Sequence, residues 1–335
     1  MKTALIGLGR IGWHFHLNEL LAHKEYEVCA VVDTSTERLA EAKELYGIKG
    51  YTDYKEMLKE EKPQLTVIAS PTIFHEEHAV AAMESGSDVI LDKPMAQSFE
   101  AAKRIYDTHK STKRKLIIYQ PHRFTAETVV AQRIINSGKL GEIYDMKRSC
   151  MSYSRRNDWQ AFKKFGGGML ANYGAHYVDQ LVYLAGEKVV ETYKITANVA
   201  TLGDANDVVK IVMKTENNKI LDVDISQAAA LPLPLLVIYG KYGAATLVQT
   251  HVGLRFIVRY YNPEELAPKA VYEEMEAKDR LYPFDIIDWK EEIVPVKGED
   301  AIDFYALCYE YFTDKIESPI PVEQTIEVMR IISAE

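Results

Sequence analysis

The segment TALIGLGRIG, Thr3–Gly12, decides the fold of the amino-terminal half. A short apolar run ends in a glycine, and two more glycines follow two and five residues later. The first glycine permits a tight turn, the second lets the backbone approach a pyrophosphate, and the third allows a helix to pack closely on the strand. Amide groups at the start of that helix attract phosphate. The predicted cofactor-binding residues of this segment are Gly7, Gly9, Arg10, Ile11 and Gly12.

Asp33 strengthens this interpretation because it closes the next apolar run, VCAVVD, about 20 residues after the last glycine. A carboxylate at that position can bind both hydroxyls of the adenosine ribose. Its negative charge repels a ribose 2′-phosphate, so NAD is favoured over NADP as the cofactor. Arg38 lies nearby in the sequence and can turn towards a phosphate, so NADP remains the alternative.

Strands and helices alternate through the first 120 residues. Longer segments of helical character, such as Thr36–Tyr46, His75–Ser85 and Ser98–His109, separate short apolar runs. This alternation indicates a parallel sheet covered by helices on both faces. We therefore predict a doubly wound α/β Rossmann domain over residues 1–120. The apolar runs are TALIGL, VCAVVD, LTVIAS, DVILD and KLIIY.

Charge and cysteine content exclude several classes of protein. The 335 residues include 40 Lys and Arg against 49 Asp and Glu, and the formal charge of −9 opposes binding to nucleic acid or an anionic membrane. Three widely spaced cysteines form neither a disulfide framework nor a zinc motif. No apolar run reaches the ~18 residues of a membrane span, and the amino terminus lacks a signal-peptide pattern. We expect a cytoplasmic protein with a small-molecule partner and no metal.

A second segment, GGGMLANYGAHYVDQ, Gly166–Gln180, places Asn172, His176 and Asp179 at spacings of four and three residues. Residues at these spacings are neighbours on a helix, so the three side chains are predicted to share one face. A polar helix face needs solvent, a partner or a substrate. Imidazole has an ordinary pKa of about 6.5, which suits proton exchange near neutrality, so His176 is a candidate base.

Two sets of motifs together resemble the Gfo/Idh/MocA oxidoreductase family. Ser70-Pro71 with His75, and Asp92-Lys93-Pro94, stand where the family has T/S-P-x-x-x-H and E-K-P. The segment 166–179 stands where the family has G-G-G-x-x-x-D-x-G-x-H-x-x-D. The segments YQPHRF and SGKLGEI match in order as well, so the resemblance covers the whole chain.

The resemblance implies a nicotinamide-dependent dehydrogenase or reductase that acts on a secondary alcohol or ketone of a sugar, an inositol or a related polyol. It also implies an α+β domain over residues 121–335, with a large open, mostly antiparallel sheet flanked by helices. The outer face of that sheet commonly pairs with a second subunit, so a homodimer or homotetramer is expected. Independently, ILDVDIS alternates apolar and polar residues like a half-exposed antiparallel strand, and VIYGKYGAATLV predicts a hairpin turning at Gly240–Gly243.

The resemblance further assigns roles to individual residues. Lys93 and His176 are the expected catalytic pair, and Lys93 as an ammonium can donate to the reacting oxygen and stabilise negative charge there. Asn172 is the third catalytic candidate. The segments at the ends of the third and fourth apolar runs, LTVIAS and DVILD, are expected beside the cofactor, and their predicted contacts are Ser70, Pro71, His75, Lys93 and Pro94.

Weaker candidates for substrate binding lie in two further segments. Gln120 and Arg123 match the family segment that lines the cleft between the domains, although either can equally tie a strand to a helix. Arg156 and Trp159 lie in SRRNDWQAFKK, where the family often has substrate contacts, although a basic loop is commonly only solvated. The predicted substrate-binding set is Gln120, Arg123, Arg156, Trp159, Asn172 and His176.

Asn172 departs from the family pattern, which most often has Asp at that position. An amide carries no charge with which to stabilise an imidazolium, so the usual three-residue mechanism does not transfer intact. Two hypotheses follow: an active dehydrogenase in which Asn172 positions His176 or the substrate, and a dinucleotide-binding redox sensor without turnover. The presence of both Lys93 and His176 favours the enzyme, because a sensor needs neither.

Overall fold

The first sheet contains six parallel strands. The computed structural model describes residues 1–269 and 285–333. The strands of this sheet are β1 (Lys2–Ile6), β2 (Glu27–Val32), β3 (Lys49–Tyr51), β4 (Leu65–Ile68), β5 (Asp88–Leu91) and β6 (Leu116–Ile118). Their order across the sheet is β3-β2-β1-β4-β5-β6, the doubly wound arrangement that the alternating sequence predicts. The prediction of a Rossmann sheet is therefore confirmed.

Both faces of this sheet are covered. Alternate residues of each strand enter separate hydrophobic clusters, so that Ile6 lies in one cluster and Leu5 in the other. A strand buried on both faces reads as a continuous apolar run, which explains the sequence pattern. A π-helical turn, Gly12–Leu17, precedes the first helix. The helices are α1 (Asn18–Ala22), α2 (Thr36–Tyr46), α3 (Tyr54–Glu61), α4 (His75–Glu84) and α5 (Phe99–Thr112).

The second sheet has eight strands and is mostly antiparallel. They are β7 (Ile143–Met151), β8 (Val189–Ala197), β9 (Val208–Thr215), β10 (Ile220–Ser226), β11 (Leu236–Gly240), β12 (Gly243–Thr250), β13 (Gly253–Tyr260) and β14 (Lys290–Pro295). Their order is β14-β13-β12-β11-β7-β10-β9-β8. Gly240 pairs with Gly243, which confirms the predicted hairpin. In β10, Leu221, Val223 and Ile225 are buried as predicted, but this strand pairs parallel with β7 and antiparallel only with β9.

The remaining helices connect the two sheets. They are α6 (Ala126–Asn136), α7 (Ala175–Ala185), α8 (Phe304–Phe312) and α9 (Val322–Ser333). α7 is buried against β7 and β10, whereas α8 returns to the first sheet, where Tyr305 and Cys308 share a cluster with Leu5. The assignment of all residues after 120 to one domain stays a prediction. Within residues 1–269 and 285–333, no helix is long and apolar enough to cross a membrane.

Candidate active site between the two sheets

The glycine turn lies at the carboxyl end of β1, beside β4, where the strand order reverses. Gly7 has φ 98°, and a Cβ there would lie 2.7 Å from the backbone of Ala69. A Cβ on Gly12 would lie 1.9 Å from the Gly7 carbonyl oxygen, so both positions require glycine. A Cβ on Gly9 would meet nothing within 4 Å, so the turn is open where a pyrophosphate would approach. Arg10 is exposed at the start of the following helix, with Ile11 beside it.

Asp33 is fixed beside this turn. Its Oδ2 accepts a hydrogen bond from the Leu8 amide at 2.7 Å, and its Oδ1 accepts one from the Ser35 amide at 2.9 Å. The Arg38 guanidinium lies 3.4 Å from both carboxylate oxygens. The carboxylate is thus placed to receive ribose hydroxyls, which fits a dinucleotide. Arg38 offsets part of its charge, so the repulsion of a 2′-phosphate is weaker than a lone carboxylate would give.

His75 joins the two loops that follow β4 and β5. Its Nε2 lies 2.9 Å from the Ser70 carbonyl oxygen and its Nδ1 2.9 Å from the Pro94 carbonyl oxygen. Burial lowers the pKa of His75 to about 4, so the ring is neutral at pH 7 and donates its one N–H to one of these carbonyls. His75 therefore shapes the edge of the cofactor cleft from a buried position. Pro71 is exposed at this edge.

Lys93 reaches from the first sheet to the second motif. Its Nζ donates to the Asn172 carbonyl oxygen at 2.9 Å and lies 3.3 Å from Asn172 Oδ1. Asn172 belongs to a π-helical turn, Leu170–Gly174, and such turns are frequent at functional sites. Burial lowers the pKa of Lys93 and Asp92 opposes this effect, while burial raises the pKa of Asp92 to about 6. An ammonium has three donors, so one remains for a reacting oxygen.

His176 stacks on His122, a residue that the sequence motifs do not single out. The ring centroids are 4.2 Å apart and the ring planes meet at 27°. Burial, the Lys93 ammonium and His122 hold the pKa of His176 well below its ordinary value. Burial, Arg148 and Lys93 lower the pKa of His122 to about 4. Both rings are therefore neutral at pH 7, as a base requires. The only sequence signal for His122 is its place inside YQPHRF, between two residues already singled out.

Asp179 lies on α7 with His176, and of the solvent, partner or substrate that the predicted polar face needs, Asp179 has a buried partner. Asp179 is 0% exposed and accepts from Arg123 through both carboxylate oxygens, at 2.6 and 2.8 Å. Arg123 is 1% exposed and also donates to Gln324 of α9. Its guanidinium is committed to these partners, so Arg123 takes the alternative role of tying elements together instead of contacting a substrate.

The other substrate candidates occupy different environments. Gln120 is buried, and its Oε1 has no hydrogen-bond partner among the described residues. Arg156 pairs with Asp158 at 2.8 and 2.9 Å, and Trp159 is half exposed in the same loop. Its neighbour Gln160, which the sequence analysis did not single out, accepts from the Asn172 amide at 3.4 Å. The basic loop therefore contacts the site through Gln160.

A cavity of about 650 Å³ adjoins the contact between Lys93 and Asn172. Its lining includes Pro94, Leu170 and Ala171, which flank these two residues in the sequence, together with Thr72 and the end of α9. His122 and His176 are not part of this lining. The cavity provides space beside these residues. The charged and titratable groups that a reaction requires are those of Lys93, His122 and His176.

These features define a dinucleotide-binding Rossmann protein, with a glycine turn on one sheet and a cluster of lysine and histidine side chains between the sheets. The family comparison agrees. The profile described as "Oxidoreductase family, NAD-binding Rossmann fold" matches residues 1–120, and the profile of the family's C-terminal domain matches residues 128–246. The chain belongs to the Gfo/Idh/MocA family, which confirms the resemblance found in the sequence.

Individual relatives are distant. A D-glucoside 3-dehydrogenase of Escherichia coli is 29% identical over 196 residues, which are 57% of this chain and 56% of that protein. A scyllo-inositol 2-dehydrogenase (NADP(+)) of Bacillus subtilis is 22% identical over 100% of this chain and 92% of that protein. An NAD-binding protein from Listeria innocua has the same fold, with a TM-score of 0.84 at 21% identity, covering 99% of this chain and 95% of that one. Several curated relatives align over only 54% to 56% of their length.

Proposed function

We propose that this protein is an NAD-dependent dehydrogenase or reductase acting on a secondary alcohol or ketone of a sugar, an inositol or a related polyol. The observation that carries the proposal is the meeting of Lys93, from the first sheet, with Asn172 on the element that leads into α7 and His176. Relatives named as glucoside and inositol dehydrogenases support the substrate class. A homodimer or homotetramer stays a prediction.

Bound nicotinamide would accept the hydride in oxidation and supply it in reduction. In oxidation, the neutral His176 takes the hydroxyl proton, while the carbon–hydrogen bond breaks and the carbonyl forms. The free donor of the Lys93 ammonium stabilises the oxygen as it gains alkoxide character. In reduction the same groups act in reverse, so His176 returns the proton. Asn172 orients Lys93 through its carbonyl and amide oxygens.

The absorbance of reduced nicotinamide in the presence of inositols and methyl glucosides tests the proposal. Turnover of at least one such polyol with NAD or NADP is expected. Tight NADH binding without turnover of any of them would instead support the redox sensor that the sequence left open.

Variants of the two central residues test the mechanism. Lys93→Met and His176→Phe should each lower turnover by about two orders of magnitude or more, because each removes electrostatic or acid–base help. NADH affinity, measured by fluorescence titration, should change little. His251→Phe, in the exposed turn between β12 and β13, serves as a control. Near-normal turnover in either variant would remove that residue from the mechanism.

A further inference from the structure

His122 lies against the proposed base in a position that the reaction above does not use. The two rings come from different elements: His122 lies in the turn Pro121–Arg123 after β6, and His176 is on α7. The buried ion pair between Arg123 of this turn and Asp179 of α7 fixes the turn on the helix. The separation of 4.2 Å between the ring centroids and the angle of 27° between the ring planes are therefore set by buried structure.

Neither ring forms a hydrogen bond with any residue in the part of the chain that the structure describes. The Nδ1 atom of each is buried without a partner, whereas neither Nε2 atom is among the buried unpaired atoms, so the Nε2 atoms are the ring nitrogens that a ligand can reach. Native proteins satisfy nearly all buried polar atoms, and the exceptions cluster where a ligand or water binds. His176 is only 9% exposed, and a ligand bound to its Nε2 would satisfy one of the two ring nitrogens that the described residues leave unpaired.

Burial, together with the charges around the pair, lowers the pKa of both rings and keeps them neutral. Lys93 after β5 and Arg148 on β7 are the cations that act on them, and Asp179 on α7 is already neutralised by Arg123. A neutral imidazole has one donor and one acceptor nitrogen. If His176 accepts a hydroxyl proton at Nε2, then His122 in the opposite tautomer donates from its Nε2. No described partner of either Nδ1 opposes this pair of tautomers, so His176 can accept at Nε2 while His122 donates from its own Nε2.

We infer that His122 is a substrate-contacting residue whose Nε2–H donates to the hydroxyl adjacent to the one that reacts. Stacked rings present two nitrogens at a spacing that suits two neighbouring oxygens of one polyol. The site would thereby select vicinal diols over isolated secondary alcohols. This inference rests on the proposed function, and it names the feature of the substrate that the pair recognises.

Paired substrates test the inference. The probes are myo-inositol and methyl α-D-glucopyranoside, each against mono-deoxy analogues that lack one hydroxyl next to a reactive position. For the parent polyol oxidised by the wild type, His122→Phe should lower kcat/KM about tenfold or more, because it keeps a stacked ring but removes the donor. Its kcat/KM for the deoxy analogue should stay nearly unchanged. His251→Phe, in the exposed turn between β12 and β13, is the matched control.

The outcomes separate the two proposals. An equal loss on parent and deoxy analogue, or no loss on either, would show that His122 only packs, and would overturn this inference while leaving the proposed function intact. Absence of turnover by the wild type would overturn the proposed function, and this inference with it. As a second readout, adding myo-inositol to the NADH-bound protein should shift the imidazole ¹⁵N resonances of both His122 and His176. A shift confined to His176 would also contradict a substrate contact at His122.

Discussion

At residue 172 the contacts favour a coupling to Lys93 over the predicted coupling to His176. The Asn172 oxygens lie 2.9 and 3.3 Å from the Lys93 ammonium, and the described part of the chain offers no hydrogen bond from Asn172 to His176. Burial already lowers the pKa of Lys93, and a neutral amide does little to oppose it. The family's usual Asp would place a carboxylate against this ammonium. The presence of Asn instead of Asp at position 172 therefore mainly affects the pKa of Lys93.

Asn172→Asp should raise the pKa of Lys93, because an opposite charge at hydrogen-bonding distance favours the ammonium. The basic limb of the pH–rate profile reports loss of that ammonium, so it should move to higher pH by on the order of one unit. The exposed Asn136→Asp, at the end of α6, is the control. If the acidic limb moved instead, residue 172 would be coupled to His176, as the sequence suggested.

We expect Asp33 to set the preference between NAD and NADP. We expect NAD to bind more tightly than NADP, because the carboxylate faces the position of a 2′-phosphate. Asp33→Ser should narrow the difference between the two affinities, because it removes the repulsion of the 2′-phosphate. It also leaves Arg38, which lies 3.4 Å from the carboxylate, free to bind that phosphate. Titration with each reduced cofactor measures both effects. Tighter binding of NADP by the unaltered protein would contradict the preference.

Motif spacing predicts a contact between two residues only when both residues belong to the motifs. Lys93, Asn172 and His176 were named from the sequence, and the structure places Lys93 against Asn172. Arg123 and Asp179 are 56 residues apart, so no local pattern shows that they pair. His122 could not be selected for the same reason, because its partner is a ring on another element.

At the scale of elements, the glycine turn offers a matched pair of substitutions. Gly12→Ala would force a Cβ to 1.9 Å from the Gly7 carbonyl oxygen, so it should destabilise the fold by about 1–3 kcal/mol or more. Gly9→Ala meets no atom within 4 Å, so it should fold normally yet weaken NADH binding by filling the space of the pyrophosphate. Thermal unfolding and NADH titration separate the effects. Unchanged NADH affinity in Gly9→Ala would argue that the pyrophosphate binds elsewhere.

Two elements escaped prediction for identifiable reasons. β3, Lys49–Tyr51, is three residues long and contains no apolar run, so periodicity could not reveal it. The segment after Gly166 was predicted as a regular helix, but Leu170–Gly174 forms a π-helical turn. A π turn has no sequence signature, and it changes which side chains align. The shared face predicted for residues 172, 176 and 179 assumes a regular helix, which holds for the last two residues but not for Asn172.

At the scale of the whole molecule, the chain after residue 300 closes the core of the first sheet. α8 contributes Tyr305 and Cys308 to a cluster that includes Leu5 and Leu17, although nearly 300 residues separate them. The apolar residues of α8 are evident in the sequence, but nothing in their pattern says which sheet they cover. Tyr305 is 2% exposed, its hydroxyl lies 2.6 Å from His16 Nδ1, and its carbonyl accepts from Tyr26.

The hydrogen bond between Tyr305 and His16 should therefore stabilise the amino-terminal and carboxyl-terminal parts of the chain together. Tyr305→Phe leaves the buried His16 ring without a partner, since its Nε2 already has none among the described residues, and should cost about 1–3 kcal/mol. The double variant His16→Phe with Tyr305→Phe should lose less than the sum of the single variants, because no polar atom is then left unpaired. Tyr193→Phe, 67% exposed on β8, should have no effect.

Chemical denaturation followed by far-ultraviolet circular dichroism and by NADH binding measures these changes. The two probes should report a common shift in the midpoint of denaturation, because loosening α8 exposes the sheet that carries the glycine turn. α9 follows α8 in the chain and contacts α5 and α7, so these contacts should loosen with it. Loss of NADH binding at a denaturant concentration where the second sheet stays intact would show that the halves unfold separately. A Tyr305→Phe variant as stable as the wild type would mean that His16 finds another partner when the hydroxyl is removed, and that apolar packing alone holds α8 on the first sheet.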